Sequence, residues 1–577
     1  MQGLAYRSDR GTAFSPALCV RCDYVHKERL KALGGRWNPA GKCWELPYTP
    51  EDWQGVLLSI PGVKPDDAVR TDLTADDSDV GRPVPEGIPP MPLRAGITPF
   101  RHQLAAYSEA IDRFRRSRGG YALLFEMGCG KSLTAVGIAG RLYLDGLISR
   151  VLVVAPLAVC PVWPRELADY AGFPHEVTVL EGDAKKKRAA LEKLRRPSDG
   201  LQVAVVNYES VWRLEKELLE WAPEMIISDE SQRIKDPMSR QSKAMHRLGD
   251  GAKYKLILSG TPVTNSPLDF YSQYRFLSRD TFGDSWYAFR ARYAVTGSEV
   301  NRATGRSYTK ILGYRNMPEL VEKAHRIAYR VTKAAALDLP EQVDQNLYCE
   351  LEPAARRAYD DLRRHSIAEL DGLPAVTAQH VITRMLRLSQ VCGGYVRVDK
   401  DGYEDDPAAG KLVQVSQAKR RLFEETARDI LDAGKKLVVF ARFTAEIGDI
   451  MAVLCTILGP DAVRLIDGSV PGAQRGQATE DFQHDPSVRA FVAQLQTAGL
   501  GITLTAADTA IYYSVDYSYA NYEQSRARIH RIGQKNACTY LHLLARDTID
   551  EEAMNALKFK ANVADVVVDR WRELLKK

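Results

Sequence analysis

The apolar run Tyr121 to Phe125 passes directly into Glu126-Met127-Gly128-Cys129-Gly130-Lys131-Ser132, and a helical pattern begins at Leu133. A strand that ends in a glycine-containing loop and resumes as a helix commits the chain to a βαβ unit, because the helix must cross back over the sheet before the next parallel strand. The same string sets the chemistry. Gly128 and Gly130 let backbone amides, with that of Cys129 between them, approach a phosphate; Lys131 reaches the outer phosphates, and the Ser132 hydroxyl can ligate Mg2+. Phe125 stands where the full eight-residue pattern has its first glycine, so further motifs must share the argument.

They come in order along the chain. Met225 to Ser228 is a strand-like run that ends in Asp229 and Glu230. Here Asp229 would hold Mg2+ through water, and Glu230 would orient and deprotonate an attacking water. A solvated acidic turn explains the two carboxylates but not Ser259-Gly260-Thr261-Pro262, which ends another apolar strand. Upstream, Gln103 in Phe100-Arg101-His102-Gln103 is placed to read an adenine edge with paired hydrogen bonds. Near the other end, Arg528 and Arg531 are three residues apart, so on a helix or tight turn both guanidinium groups share a face. Two permanently charged forks suit the charge that develops on a γ-phosphate during hydrolysis. The cofactors implied are ATP and Mg2+.

Apolar runs place these motifs in two α/β cores. The first series is Tyr121 to Phe125, Val151 to Ala155, Val203 to Val206, Met225 to Ser228 and Leu256 to Ser259; the second is Leu437 to Phe440, Val463 to Ile466, Phe491 to Leu495, Ala510 to Val515 and Thr539 to Leu544. Short Val/Ile/Leu-rich runs alternating with helical stretches are the pattern of buried parallel strands. Residues 96–275 form the first core and 421–547 the second, with 276–420 mostly helical between them and a helical segment over 548–577. Residues 69–95, acidic and then proline-rich, read as a linker that frees a small module at 1–68 from the rest.

With 577 residues and 45% hydrophobic content, each of these domains can bury a core. Lys plus Arg outnumber Asp plus Glu by 79 to 74, a balance compatible with local basic surfaces. Nine scattered cysteines, one inside the phosphate loop, indicate a reducing compartment rather than a disulfide scaffold. There is no bilayer-spanning apolar run and no signal peptide at Met1, so no membrane partner is expected. The expected location is the cell interior, the cytoplasm of a bacterium or of a phage-infected cell.

Taken in sequence, the phosphate loop, Asp229 to Lys235, Leu258 to Asn265 and His530 to Gln534 resemble the Swi/Snf family of superfamily two helicase-type ATPases over residues 96 to 550. The resemblance implies two RecA-like lobes of parallel sheet flanked by helices, helical insertions between them, and a DNA-stimulated ATPase that moves along duplex DNA without ordinary unwinding. It assigns DNA-facing roles to Pro156 in Val154-Ala155-Pro156, to Asn207 in Asn207-Tyr208-Glu209, to Thr497 and Gly499 in Thr497-Ala498-Gly499, and to Arg442 in Phe440 to Phe443. Three residues depart from the family: Gln232 stands for the usual histidine, Cys129 for leucine, and Tyr517 for a tryptophan. An amide at Gln232 can still donate and accept.

The module at 1–68 is similar to the HARP-like modules of annealing helicases, a fork-remodelling branch of that family. Without the resemblance it is a small basic α+β unit with two tryptophans. Lys27 and Arg36 are candidates for phosphate contact, and Trp37 for stacking on an unpaired base; the competing role for Trp37 and Trp44 is core packing. Cys19, Cys22, His26 and Cys43 suggest a metal site only weakly, because a single Cys-x-x-Cys pair is present. The run Lys185 to Arg188 is read as the solvated face of a helix. The expectation is an ATP-dependent translocase on double-stranded and branched DNA, acting as a monomer, that remodels or reanneals forks. The alternatives are a nucleoprotein remodeller, an RNA helicase, or a DNA-binding scaffold without ATPase activity.

Overall fold

The structure is a computed structural model that describes residues 4–9, 12–22, 26–60, 63–66, 69, 87–117, 119–300, 307–337, 339–372, 378–397, 412–496 and 502–564. The chain forms two compact units, one of residues 1–296, 311–338 and 559–577 and the other of residues 297–310 and 339–558.

The first unit opens with a five-stranded sheet of β1 (Leu4–Ser8), β2 (Ala17–Arg21), β3 (Arg36–Asn38), β4 (Cys43–Pro47) and β5 (Lys64–Pro65), in the order β3-β4-β2-β1-β5. Strand alternation sends Leu18, Val20, Trp44 and Leu46 to one face, where they pack with Leu30, Trp53 and Val56 from the helices Lys27–Ala32 and Pro50–Ser59 and with Ile60 just after the second. This cluster is continuous with apolar residues of the next sheet, among them Ala122, Leu152 and Ile226. The module therefore belongs to the first unit, and the expectation of a freely tethered module is corrected. Residues 70–86 of the expected linker lie outside the described residues, but the chain beyond them is docked. Met91 is buried, Leu93 pairs with Ala171, and the Tyr107 hydroxyl donates to the carbonyls of Pro89 and Pro90.

The main sheet of this unit contains β6 (Gly119–Phe125), β7 (Arg150–Ala155), β8 (His175–Val179), β9 (Leu201–Asn207), β10 (Met225–Asp229) and β11 (Tyr254–Leu258). After a separate pair, β12 (Ala294–Val300) and β13 (Ser307–Tyr314), the strand β14 (Ala328–Val331) completes the main sheet in the order β14-β6-β11-β10-β7-β9-β8, with parallel pairing. The central strands are buried on both faces, which is why they read as continuous apolar runs.

The second unit holds β15 (Gln342–Cys349), the short pair β16 (Tyr395–Arg397) and β17 (Leu412–Gln414), and then β18 (Leu437–Ala441), β19 (Val463–Ile466), β20 (Ala490–Gln494), β21 (Thr509–Tyr512) and β22 (Cys538–Ala545). Its parallel sheet runs β15-β22-β21-β18-β20-β19. The fold is thus α/β, with two lobes of parallel sheet flanked by helices. The segment 276–420, expected to be mostly helical, supplies an edge strand to each sheet. β14 and β15 were missed because β14 carries Arg330 and β15 is polar along most of its length, as an edge strand can be. Among the described residues, no helix is long and apolar enough to cross a membrane.

Candidate functional site

β6 ends at Phe125, and the loop after it turns through left-handed backbone at Gly128 (φ 89°) and Gly130 (φ 84°) before the helix Lys131–Leu144. Left-handed backbone costs a side chain about 1–2 kcal/mol, and at Gly130 a Cβ would also lie 2.0 Å from Gln103 Nε2. The loop therefore delivers the unpaired amides of a helix N-terminus, with Lys131 and Ser132 in the first turn, to one point where a phosphate is favoured. Lys131 Nζ donates to the Phe125 carbonyl at 3.0 Å. Burial pushes the Cys129 thiol up to about 11, so it fills space as a neutral group.

Gln103 is buried and turned against the phosphate loop. Its Oε1 accepts from Phe100 N (2.9 Å) and its Nε2 donates to the Cys129 carbonyl (3.2 Å), a carbonyl that His102 Nε2 also contacts at 2.9 Å. Both side chains brace the phosphate loop, so the Gln103 amide is engaged by protein groups in this structure.

β10 and β11 are neighbours, so the carboxylates at the end of one lie beside Ser259 at the end of the other. Asp229 is buried and accepts from Trp163 Nε1 at 3.2 Å. Burial, then the neighbouring Glu230, push its carboxyl up to about 7, while Lys131 and the indole oppose the shift. The raised carboxyl shows that Lys131 does not fully offset the charge of Asp229, which suits a residue that would hold a divalent cation. Glu230 has a left-handed φ of 52°, a strained conformation for a non-glycine residue. Gln232 Nε2 donates to Glu230 Oε2 (2.8 Å), and Gln232 Oε1 accepts from Ser259 Oγ (2.8 Å). The amide in the usual histidine position thus makes both connections, joining Glu230 to the Ser259-Gly260-Thr261 segment.

The segments expected to face DNA have different surroundings. Pro156 is half-buried after β7, with Leu157 exposed beside it. Asn207 is only 6% exposed, and its amide is engaged by Lys187 Nζ (3.0 Å) and Glu209 (2.7 Å), so direct DNA contact by this side chain is corrected to a buried role. Its neighbour Tyr208 donates to the Asp229 carbonyl at 2.6 Å and contacts Ser228 Oγ at 2.8 Å. Lys187, within the run read as solvated, is buried, its Nζ donating to Asn207 Oδ1 and Ser210 Oγ. Neither Lys187 nor Trp163 carries a local signal; their partners lie 20 and 66 residues away in sequence.

In the second unit, Arg528 and Arg531 follow the helix Tyr519–Arg526 in a turn rather than on the helix itself. Arg531 Nη1 donates to Thr503 Oγ1 at 2.9 Å, and the Arg528 carbonyl accepts from Leu504 N. Gln534 binds the turn through the carbonyls of Ala507 and Ile529. Arg442 follows β18, its N–H donating to Ser514 Oγ at 2.8 Å. Thr497 and Gly499 lie outside the described residues.

In the module, Trp44 is 8% exposed and Trp37 51%, with ring centroids 5.6 Å apart. Trp44 therefore packs, whereas Trp37 presents much of its indole to solvent. Arg36 leaves β3 on the opposite face, over the Phe14 ring, and Lys27 is half-buried on its helix, so these candidates do not form one cluster. Cys19 and Cys43 meet Glu45, not Cys22 or His26. The Glu45 oxygens accept from Thr12 N, Thr12 Oγ1, Ala13 N and Asn38 Nδ2, which makes this group a clasp on the loop before β2.

Residues 102–394, more than half of the chain, match the model of the SNF2-related domain. The chain belongs to the SNF2-related family. Residues 421–533 of this SNF2-related chain match the helicase conserved C-terminal domain. Chromodomain-helicase-DNA-binding protein 1-like of Mus musculus is 28% identical over 485 residues, covering 82% of the chain and 51% of that relative. The DNA repair and recombination protein RDH54 of Saccharomyces cerevisiae is 24% identical over 478 residues, covering 77% of the chain and 51% of the relative. The chain thus spans about half the length of these relatives. The Sulfolobus solfataricus SWI2/SNF2 ATPase core in complex with dsDNA is 23% identical, with a TM-score of 0.39, and the match covers 83% of this chain and 96% of that one.

Proposed function

We propose that this SNF2-related chain hydrolyses ATP to translocate along double-stranded DNA and uses that motion to remodel or reanneal branched DNA. The supporting observation is the hydrogen-bonded set around Asp229 and Glu230. The Glu230 carboxylate is linked through Gln232 to Ser259, and the main-chain carbonyl of Asp229 accepts from Tyr208, in the segment the family resemblance assigns to the DNA side. Lys131 exchanges the Phe125 carbonyl for the outer phosphates, and Glu230 orients water and accepts its proton. Asp229 and Ser132 are the residues that would hold Mg2+, which would supply positive charge to the phosphates. Arg528 and Arg531 are the proposed guanidinium groups for the γ-phosphate, and Arg442 and Pro156 are proposed contacts to the DNA backbone. Trp37 is proposed to stack on an unpaired base where duplex meets single strand. The chain is proposed to work as a monomer inside the cell.

The test is ATP hydrolysis with duplex, single-stranded and forked DNA, paired with displacement of a triplex strand and with reannealing of a fork. Duplex stimulation with triplex displacement supports translocation, and absence of both refutes it. Similarity to the ISWI chromatin-remodeling complex ATPase ISW1 of Saccharomyces cerevisiae, 25% identical over 464 residues, favours a second reading, nucleoprotein remodelling. Removal of a bound protein from duplex, with no preference for forks and no reannealing, would select that reading.

A further inference from the structure

Arg330 is a charged residue on a buried edge strand and is itself only 2% exposed. Nη1 donates to the Leu124 carbonyl (2.9 Å) and the Gly260 carbonyl (3.3 Å), and Nη2 reaches Glu126 Oε1 at 3.3 Å. One guanidinium thus spans β6, the start of the phosphate loop, and the Ser259-Gly260-Thr261 segment. Glu126 extends the connection: its Oε2 accepts from Lys333 N (2.8 Å) and its own N–H donates to the Val331 carbonyl (2.9 Å). Gly260 lies so close that a Cβ there would meet the Phe125 carbonyl at 3.1 Å and Met127 N at 3.3 Å. Past Lys333 the chain soon enters the second unit, which resumes at residue 339.

A buried guanidinium is expensive to desolvate and is retained only where its donors are met. Its planar fork reaches several acceptors at once, whereas a lysine provides a point charge. We infer that Arg330 is a positioning residue that makes the phosphate loop, the Ser259-Gly260-Thr261 segment and the chain leaving β14 move as one piece. Nucleotide-dependent shifts of the loop are thereby passed to the connection with the second unit. The inference rests on the ATPase reading and extends it to a residue outside the site motifs.

The experiment compares Arg330→Met, Arg330→Lys and Glu126→Gln with the natural chain. Binding of a fluorescent ADP analogue, the kcat and KM for ATP with saturating duplex, and thermal melting are measured for each. Arg330→Met, of similar length and apolar, is expected to lower DNA-stimulated kcat about tenfold, with nucleotide affinity and KM within about threefold. Arg330→Lys restores little, and combining Arg330→Met with Glu126→Gln costs no more than the worse single change, because both break one brace. Wild-type kcat in a folded Arg330→Met, full activity in Arg330→Lys, or a loss carried by nucleotide affinity would each overturn the inference. If Arg330→Met fails to fold, Glu126→Gln breaks the same brace from its more exposed side, and undiminished DNA stimulation in that variant is equally decisive. A natural chain whose hydrolysis ignores DNA would refute the broader reading instead, so the two failures are distinguishable.

Discussion

Replacing Glu446 by glutamine should stabilise the second unit at neutral pH and remove part of its pH dependence. Glu446 is 1% exposed on the helix Thr444–Leu458 that follows Arg442 and Phe443. Its Oε2 accepts from Ser514 Oγ and Phe443 N, while Oε1 has no hydrogen-bond partner among the described residues. Burial pushes its carboxyl from 4.5 up to about 7; Lys419, Ser514 and Phe443 N oppose the shift, and Asp550 adds to it. The folded pKa lies above the unfolded one, so the contribution to stability is fully present below pH 4.5 and is lost as pH rises through 7. At 1.36 kcal/mol per unit, the loss between pH 5.5 and 7 is about 2 kcal/mol, levelling off at higher pH. Glutamine keeps the shape and an acceptor for Ser514 without a charge to desolvate. Lys419 remains paired with Asp550 at 2.5 Å in either case. Hydrogen exchange over residues 444–458, corrected for intrinsic rate and followed from pH 5.5 to 8, reads this stability locally. An unchanged slope in Glu446→Gln, or a variant less protected than the natural chain at pH 8, would refute the reasoning.

Lys131→Ala should weaken ATP binding, whereas Glu230→Gln should bind ATP and lose turnover; wild-type turnover in both, measured with nucleotide-binding and single-turnover assays, would remove the proposed site. Arg531→Ala should lower DNA-stimulated ATPase by on the order of 10³-fold while DNA affinity measured by anisotropy stays near that of the natural chain; retained stimulation would exclude it as the γ-phosphate group. Trp44→Ala should cost about 3–5 kcal/mol in denaturant unfolding because it empties a packed site. Trp37→Ala should stay within about 1 kcal/mol of the natural chain yet weaken binding to forked DNA, and the reverse ranking would contradict the assigned roles.

Much of the core was legible because its signals are contiguous. The five apolar runs of the first lobe coincide with β6, β7, β9, β10 and β11, since strands buried on both faces must be apolar throughout. The phosphate loop and the carboxylate pair were equally plain, because strand, turn and helix N-terminus adjoin in sequence and their spacing is the chemistry. The edge strands β14 and β15 were not: β14 is only four residues long and interrupted by the buried Arg330, and β15 is largely exposed and polar along much of its length.

What the sequence by itself determined is therefore the set of reactive groups and the strand ends that carry them. Only the tertiary structure decided which of those groups hold one another. It placed Trp163 on Asp229, Gln232 between Glu230 and Ser259, and Arg330 against Glu126 across 204 residues of chain. It turned Gln103 and Asn207 inward and left Trp37 outward while burying Trp44. Side-chain hydrogen bonds act over about 3 Å in space whatever the separation along the chain, so these partners are fixed by sheet order and burial and have no local sequence pattern.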